Sequence, residues 1–171
     1  RWCLWITDEQ KELAESITLI KSRIDKVKEI RMQSKRVGTQ KKARTPHRFA
    51  EIQSEPTDAL IIPGATSEHR EYIPIEFIND DTVSANTNQT VFDSPIYLFS
   101  ILSSSLHNLW VKTIAGRLGT GIRYTSLCYN SFPIPALNKL DKDLLTKMSF
   151  DIIDVREKYP DQTYVQLYDP K

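Results

Sequence analysis

Apolar residues recur at helical spacing near the start of the chain. Leu13, Ile17, Ile20, Ile24 and Val27 are separated by four and three positions in turn, which lines one face of an α-helix. Thr7 with Gln10 three residues on supplies a capping box ahead of that stripe, so the pattern predicts one long amphipathic helix over about residues 8 to 35. The stripe is either core or a seam for a partner helix, while Lys21, Lys28 and Lys35 repeat every seven residues along another face. The polar run "SKRVGTQKKARTPHR" carries Gly38 and Pro46. It cannot be helix throughout and reads as a basic loop over 36–48.

"ALIIPG" and "REYIPIEFI" are short, β-branched or alternating runs punctuated by Pro63 and Pro74, the pattern of edge strands. Two further short strands are expected to bracket "SANTNQ". Ser94-Pro95 then offers an N-cap and the proline favoured at a first helical position, and that helix is expected to run to Gly116. Ser100, Ser103, Ser104, His107 and Asn108 fall on or near one of its faces, for which solvation is the simplest reading. Asp141 is placed as the cap of a last helix with Leu145, Met148, Ile152, Val155 and Tyr159 inside, closed by Pro160. Helices flanking a small mixed or antiparallel sheet make an α+β fold.

At 171 residues the chain suits a single domain, 1–171, with length enough to bury a core. A balance of 40% hydrophobic and 26% charged residues is that of an ordinary soluble protein. No run approaches the roughly 18 to 20 apolar residues of a membrane span, and the first residues do not form a signal peptide, so a cytoplasmic location is expected. Cys3 and Cys128 cannot build a disulfide framework, and His47, His69 and His107 lie 22 and 38 residues apart, too far for a local metal motif. The chain lacks an initiator Met and stops at "YDPK", which reads as a piece of something longer.

A net charge of +1 conceals an asymmetry. From Lys21 to Arg48 eleven Lys or Arg face only Asp25 and Glu29, giving +9 there and −8 elsewhere. From Ser94 to Leu140, 47 residues carry no carboxylate but include Lys112, Arg117, Arg123 and Lys139. Two electropositive stretches suit a polyanion, although a solvated helix face and a basic loop would give the same composition.

Within the second stretch "GRLGTGIRYT", residues 116–125, superficially suggests a nucleotide cradle. Its order, G-x-x-G-x-G with Ile122-Arg123 after the last glycine, fits neither a phosphate loop nor a dinucleotide fingerprint. The structural reading of the glycines is a left-handed helix cap at Gly116 and a turn shaped by Gly119 and Gly121. Catalytic constellations are missing: there is no triad candidate and no paired metal carboxylates. "NSFP" at 130–133 has Ser131 where the adenine-gripping Asn-Pro-Pro-Phe motif needs proline, and no glycine-rich S-adenosylmethionine loop is present.

"PGATSEHREYIPIEFI", His107 to Trp110, Gly116 to Leu118, Arg123-Tyr124, Tyr129 to Pro135 and Leu167 to Pro170 occur in this order. That succession, from "RWCLWI" to Asp169-Pro170, resembles the target recognition domain of MmeI-like type IIG restriction-modification DNA adenine methyltransferases. Departures are Thr66 and Thr125, each in place of Ser, and Gly119-Thr120-Gly121 where the family often has charged or Ser residues.

The resemblance implies a domain that binds double-stranded DNA and performs no chemistry itself. It would position the target adenine for a methyltransferase domain of the same parent chain, which would use S-adenosylmethionine, while this piece would hold no cofactor and touch no membrane. It also implies base readers between Asn108 and Ser126. Lys112, Arg117, Thr120 and Arg123 are the candidates, with Tyr124 beside them. Arg70 and the basic run Arg31, Lys35, Arg36, Lys41, Lys42, Arg44 and Arg48 would contact the backbone. Arg117 and Tyr124 could instead form a buried pair bracing the loop. A specificity-subunit-like domain of a multi-subunit restriction system and a helical protein-interaction module using the Leu13 to Val27 seam are the alternatives.

Overall fold

The stripe that predicts one helix is carried by two. In the computed structural model, which describes residues 3–52 and 57–169, α1 spans Lys11–Ser16 and α2 spans Thr18–Met32. Between them Ile17 is extended, with φ −89° and ψ 108°. The Ser16 hydroxyl donates to the Leu13 carbonyl at 2.7 Å, the kind of local bond that competes with the helical ladder. One extended residue rotates the second helix out of phase with the first. Ala14 and Ile24 are therefore buried while Leu13 and Ile17 face outward. Gln10 does reach back to the Thr7 N–H, at 3.2 Å, but the helix begins only at Lys11. Arg1, Trp2 and Pro170, which the resemblance included, lie outside the described residues.

The described residues form two compact units, 1–52 and 53–171. In the first, the segment expected as a basic loop is largely helical: α3 covers Val37–Lys41 and a 3₁₀ turn covers Lys42–Arg44. Arg31 explains why so polar a run is ordered. Its guanidinium donates to the carbonyls of Lys42, Thr45 and Arg48 at 2.9, 3.0 and 2.8 Å, tying the segment to α2. Asp8 adds a second tie, accepting from His47 at 2.7 Å and Arg48 at 3.0 Å.

The second unit holds two three-stranded antiparallel sheets. In one, β1 (Ala59–Ile62) lies between β3 (Glu76–Ile78) and β4 (Gln89–Phe92). "ALII" is thus a central strand rather than an edge: Pro63 follows its last residue, so no ladder bond is lost to the proline. Of the two strands expected around "SANTNQ", only the following one forms among the described residues. In the other sheet, β2 (Ala65–Ser67) and β5 (Gly116–Leu118) flank β6 (Gly121–Arg123). The sequence pattern missed this sheet, because three-residue strands are too short to show a period.

The helix expected from Ser94 to Gly116 is also two helices, α4 (Ile96–Leu102) and α5 (Ser105–Ile114). Pro95 occupies the cap position of α4, and Ser94 lies outside it. Ser104 restarts the helix, its hydroxyl accepting the His107 N–H at 3.1 Å. The polar face proposed as solvated is inside: Ser100, Ser103, His107 and Asn108 are all buried. After α6 (Ser126–Asn130), α7 (Lys139–Glu157) is capped by Asn138, with Asp141 as its capping-box partner. Of the expected inner face Leu145 and Ile152 are partly buried, while Met148, Val155 and Tyr159 are exposed and the face centres on fully buried Ser149 with Ile153 beside it. The Ser149 hydroxyl accepts from Ser100 N at 3.2 Å and lies 2.8 Å from the Ile96 carbonyl, and so small a side chain lets α4 and α7 approach closely. A short α8 (Tyr164–Tyr168) follows. Leu60, Ile62, Ile73, Ile75, Phe99, Leu102, Val111, Ile122 and Tyr124 form the core beneath both sheets. No helix among the described residues is long and apolar enough to cross a membrane.

Candidate nucleic-acid interface

"GRLGTGIRYT" is a β-hairpin, not a helix cap. Ala115 ends α5 in an extended conformation, with φ −74° and ψ 148°, and Gly116 opens β5. Gly119 and Thr120 form the two-residue tip between β5 and β6. Gly119 has φ +60° and Thr120 does not share a positive φ, the pattern of a type II′ turn whose twist matches the flanking strands. Only Gly119 uses the conformational freedom of glycine in this way.

Register separates the two arginines. Arg117 pairs with Ile122, and Arg123 pairs with Gly116 on one side and Ala65 on the other. Directly paired residues share a face and neighbours along a strand alternate, so Arg117 and Arg123 stand on opposite faces. Arg123 is exposed between exposed Gly116 and Ala65. Its two direct cross-strand neighbours carry almost no side chain, and no hydrogen bond or ion pair engages the guanidinium among the described residues. Arg117 is 68% exposed but ion-paired with Glu68, which lies just beyond β2. That guanidinium holds the Glu68 carboxyl below the usual carboxylate range, by its hydrogen bond and by its charge. The absence of carboxylates from 94–140 therefore leaves Arg123 unpaired but not Arg117.

Tyr124 does not pair with Arg117. It is buried, its hydroxyl 3.0 Å from His107 Nε2, and burial pushes the phenol pKa up. His107 is fully buried, and desolvation lowers its pKa to about 4, so the ring is neutral at physiological pH. Phe132 meets the His107 ring edge-on at 4.6 Å, with Trp110 at 6.2 Å from Phe132. His107 and Trp110, Tyr124, and Phe132 come from three separate motifs and meet in one interior cluster. They hold the hairpin from behind.

Arg70 is likewise internal, with a side chain 13% exposed whose Nε donates to Asp169 at 2.6 Å. Its carbonyl accepts from Asn108 at 2.9 Å and from Lys112 Nζ at 2.8 Å, and Asn108 also reaches the Glu71 carbonyl at 2.6 Å. Lys112 remains exposed despite that bond. Glu68 is the residue the sequence did not single out; its signal was its place in the "SEHREY" motif. In the first unit Lys35, Arg36, Lys41 and Arg44 are exposed, Lys42 meets Glu51 at 3.7 Å, and Arg48 meets Asp8. Arg31 alone of that run spends its guanidinium on backbone carbonyls. Among the described residues no group of three His, Cys, Asp or Glu is placed to hold a metal ion.

Three comparisons bear on this surface. The family model described as MmeI, target recognition domain, matches residues 1–136. DNA methyltransferase A of Bacillus subtilis (strain 168) is 39% identical over 171 residues, covering 99% of this chain and 19% of that protein. A solved structure of the Type IIL restriction-modification enzyme MmeI in complex with DNA superposes with a TM-score of 0.92 at 35% identity, over 99% of this chain and 23% of that one. The chain thus spans about a fifth of the length of these relatives.

Proposed function

The chain belongs to the MmeI target recognition domain family, and from that premise we propose that it recognises a sequence in duplex DNA on behalf of a methyltransferase domain in the same longer protein. Both units take part as one recognition domain. The target is an adenine, S-adenosylmethionine is bound by the methyltransferase domain, and the protein works in the cytoplasm. One observation supports a DNA-facing role for this hairpin: Arg123 is exposed and, among the described residues, unpaired between Gly116 and Ala65. A planar fork on a face with so little beside it can approach a base edge and donate two parallel bonds to guanine.

Thr120 at the tip and Lys112 on α5, whose charge also acts on Glu68, are the other base-reader candidates. Lys35, Arg36, Lys41, Lys42, Arg44 and Arg48 contact phosphates, which positions the duplex without specifying it. Arg31, Arg70 and Tyr124 act from inside as supports. The test uses the full natural protein that carries these residues and a random-sequence duplex pool. Wild type should enrich one site, and Arg123→Ala should relax it at one position. Unchanged enrichment by the variant would refute the assignment.

A further inference from the structure

We infer that the buried hydrogen bond between His107 and Tyr124 is a positioning device for Arg123, so that a pair with no access to DNA governs how sharply the domain reads it. The inference rests on the DNA-facing role of Arg123 proposed above. Arg123 and Tyr124 are consecutive, and their side chains lie on opposite sides of the chain: one is exposed and the other is in the core. A strand that turns about its own axis moves both at once. Whatever fixes the tyrosine ring therefore helps to fix the direction in which the arginine side chain leaves the strand.

The strand is also held by its ladders to β2 and β5 and by the buried Ile122, and the hydroxyl adds a directed bond to these. β5 and β6 have three residues each, and so short a hairpin is not stable alone. At its far end the turn at Gly119-Thr120 joins only the two strands. At its near end the Tyr124 N–H donates to the Gly64 carbonyl at 3.1 Å, which extends the pairing with β2. To that backbone pairing and apolar packing the Tyr124 hydroxyl adds a directed bond, 3.0 Å from His107 Nε2. His107 is itself held twice. Its N–H is bonded to the Ser104 cap of α5, at 3.1 Å, and its ring is met edge-on by Phe132. The polar contact thus refers the strand to α5 and to the segment after α6. Bidentate contact with a base needs the fork placed within a fraction of an ångström, and a ring held only by apolar packing keeps its place less sharply than one also held by a directed bond.

The experiment is a double-mutant cycle in the full natural protein, reading the ratio of affinity for its selected site to affinity for a scrambled duplex. Arg123→Ala should lower that ratio by roughly five- to a hundredfold, as loss of a bidentate base contact does. Tyr124→Phe, which keeps the ring and removes only the hydroxyl, should lower it several-fold with no change in the salt slope. Added to Arg123→Ala it should cost nothing more, because its effect passes through the same contact. Additive losses, or an unaltered ratio in Tyr124→Phe while Arg123→Ala loses it, would overturn the positioning role and leave the DNA reading standing. An unaltered ratio in Arg123→Ala would overturn both. His107→Gln, whose amide can still meet the tyrosine hydroxyl, serves as a second variant. It should retain more of the ratio than His107→Leu at comparable melting temperature, and equal loss in the two would count against the bond.

Discussion

Arg117 and Arg123, six residues apart in one hairpin, stand on opposite faces of a three-stranded sheet, the first paired with Glu68 and the second unpaired among the described residues. Their roles should therefore separate. Arg117→Ala is expected to alter site preference less than Arg123→Ala, as measured by selection from a random duplex pool. Glu68→Gln should free the Arg117 charge. The expected result is tighter binding to any duplex and a log–log salt slope steeper by about one. Titrations at several salt concentrations would show it, and an unchanged slope would mean that Arg117 does not approach phosphate.

Arg31→Ala should behave as a structural lesion rather than a binding one. Three backbone carbonyls lose their donor, at a cost of about 1 to 2 kcal/mol given the partial exposure of the site. Denaturant unfolding should register that loss. Lys41→Ala, on the exposed side of the same segment, should weaken DNA binding with no shift of the midpoint.

Acid should destabilise the second unit through His107. Its pKa is about 4 in the folded chain against 6.5 for the free group, so between these values the unfolded chain binds the extra proton. The contribution is fully present above about pH 6.5 and disappears progressively as pH falls to about 4, a loss of up to about 3 kcal/mol. Unfolding midpoints at pH 7.5 and 4.5 in wild type and His107→Gln would isolate it. The variant should show the smaller difference.

Two glycine substitutions should differ sharply. A Cβ on Gly64 would sit 1.8 Å from the Thr87 carbonyl oxygen, whereas one on Gly38 would meet nothing within 4 Å. Gly64→Ala should therefore destabilise by more than about 2 kcal/mol, because backbone must move. Gly38→Ala, inside α3, should stabilise by about 0.5 to 1 kcal/mol. Melting temperatures would order the two, and a neutral Gly64→Ala would be inconsistent with the packing of β2.

Much of this arrangement was legible in the residues. Leu13 to Val27 announced helix and "ALII" announced strand. The ordered motifs from Pro63 to Asp169 pointed to the family, whose model matches residues 1–136. The breaks were less visible, for a physical reason. Ile17 and Ser103-Ser104 interrupt helices without a glycine or proline to mark the break, and the apolar residues keep their helical spacing in the sequence across Ile17.

By itself the sequence determined which of the longer segments can be helix or strand and where charge accumulates, because these depend on neighbours within a few residues. Only the tertiary structure decided what each charged or polar group meets. Glu68 reaches Arg117 across 49 positions and His107 meets Tyr124 across 17, contacts made by strand order and helix packing that no local pattern encodes. The same basic residue type is a clamp at Arg31, half of an ion pair at Arg117 and an open fork at Arg123. A guanidinium binds whatever acceptor the fold brings within hydrogen-bond reach, and that distance is set by the packing of the whole unit.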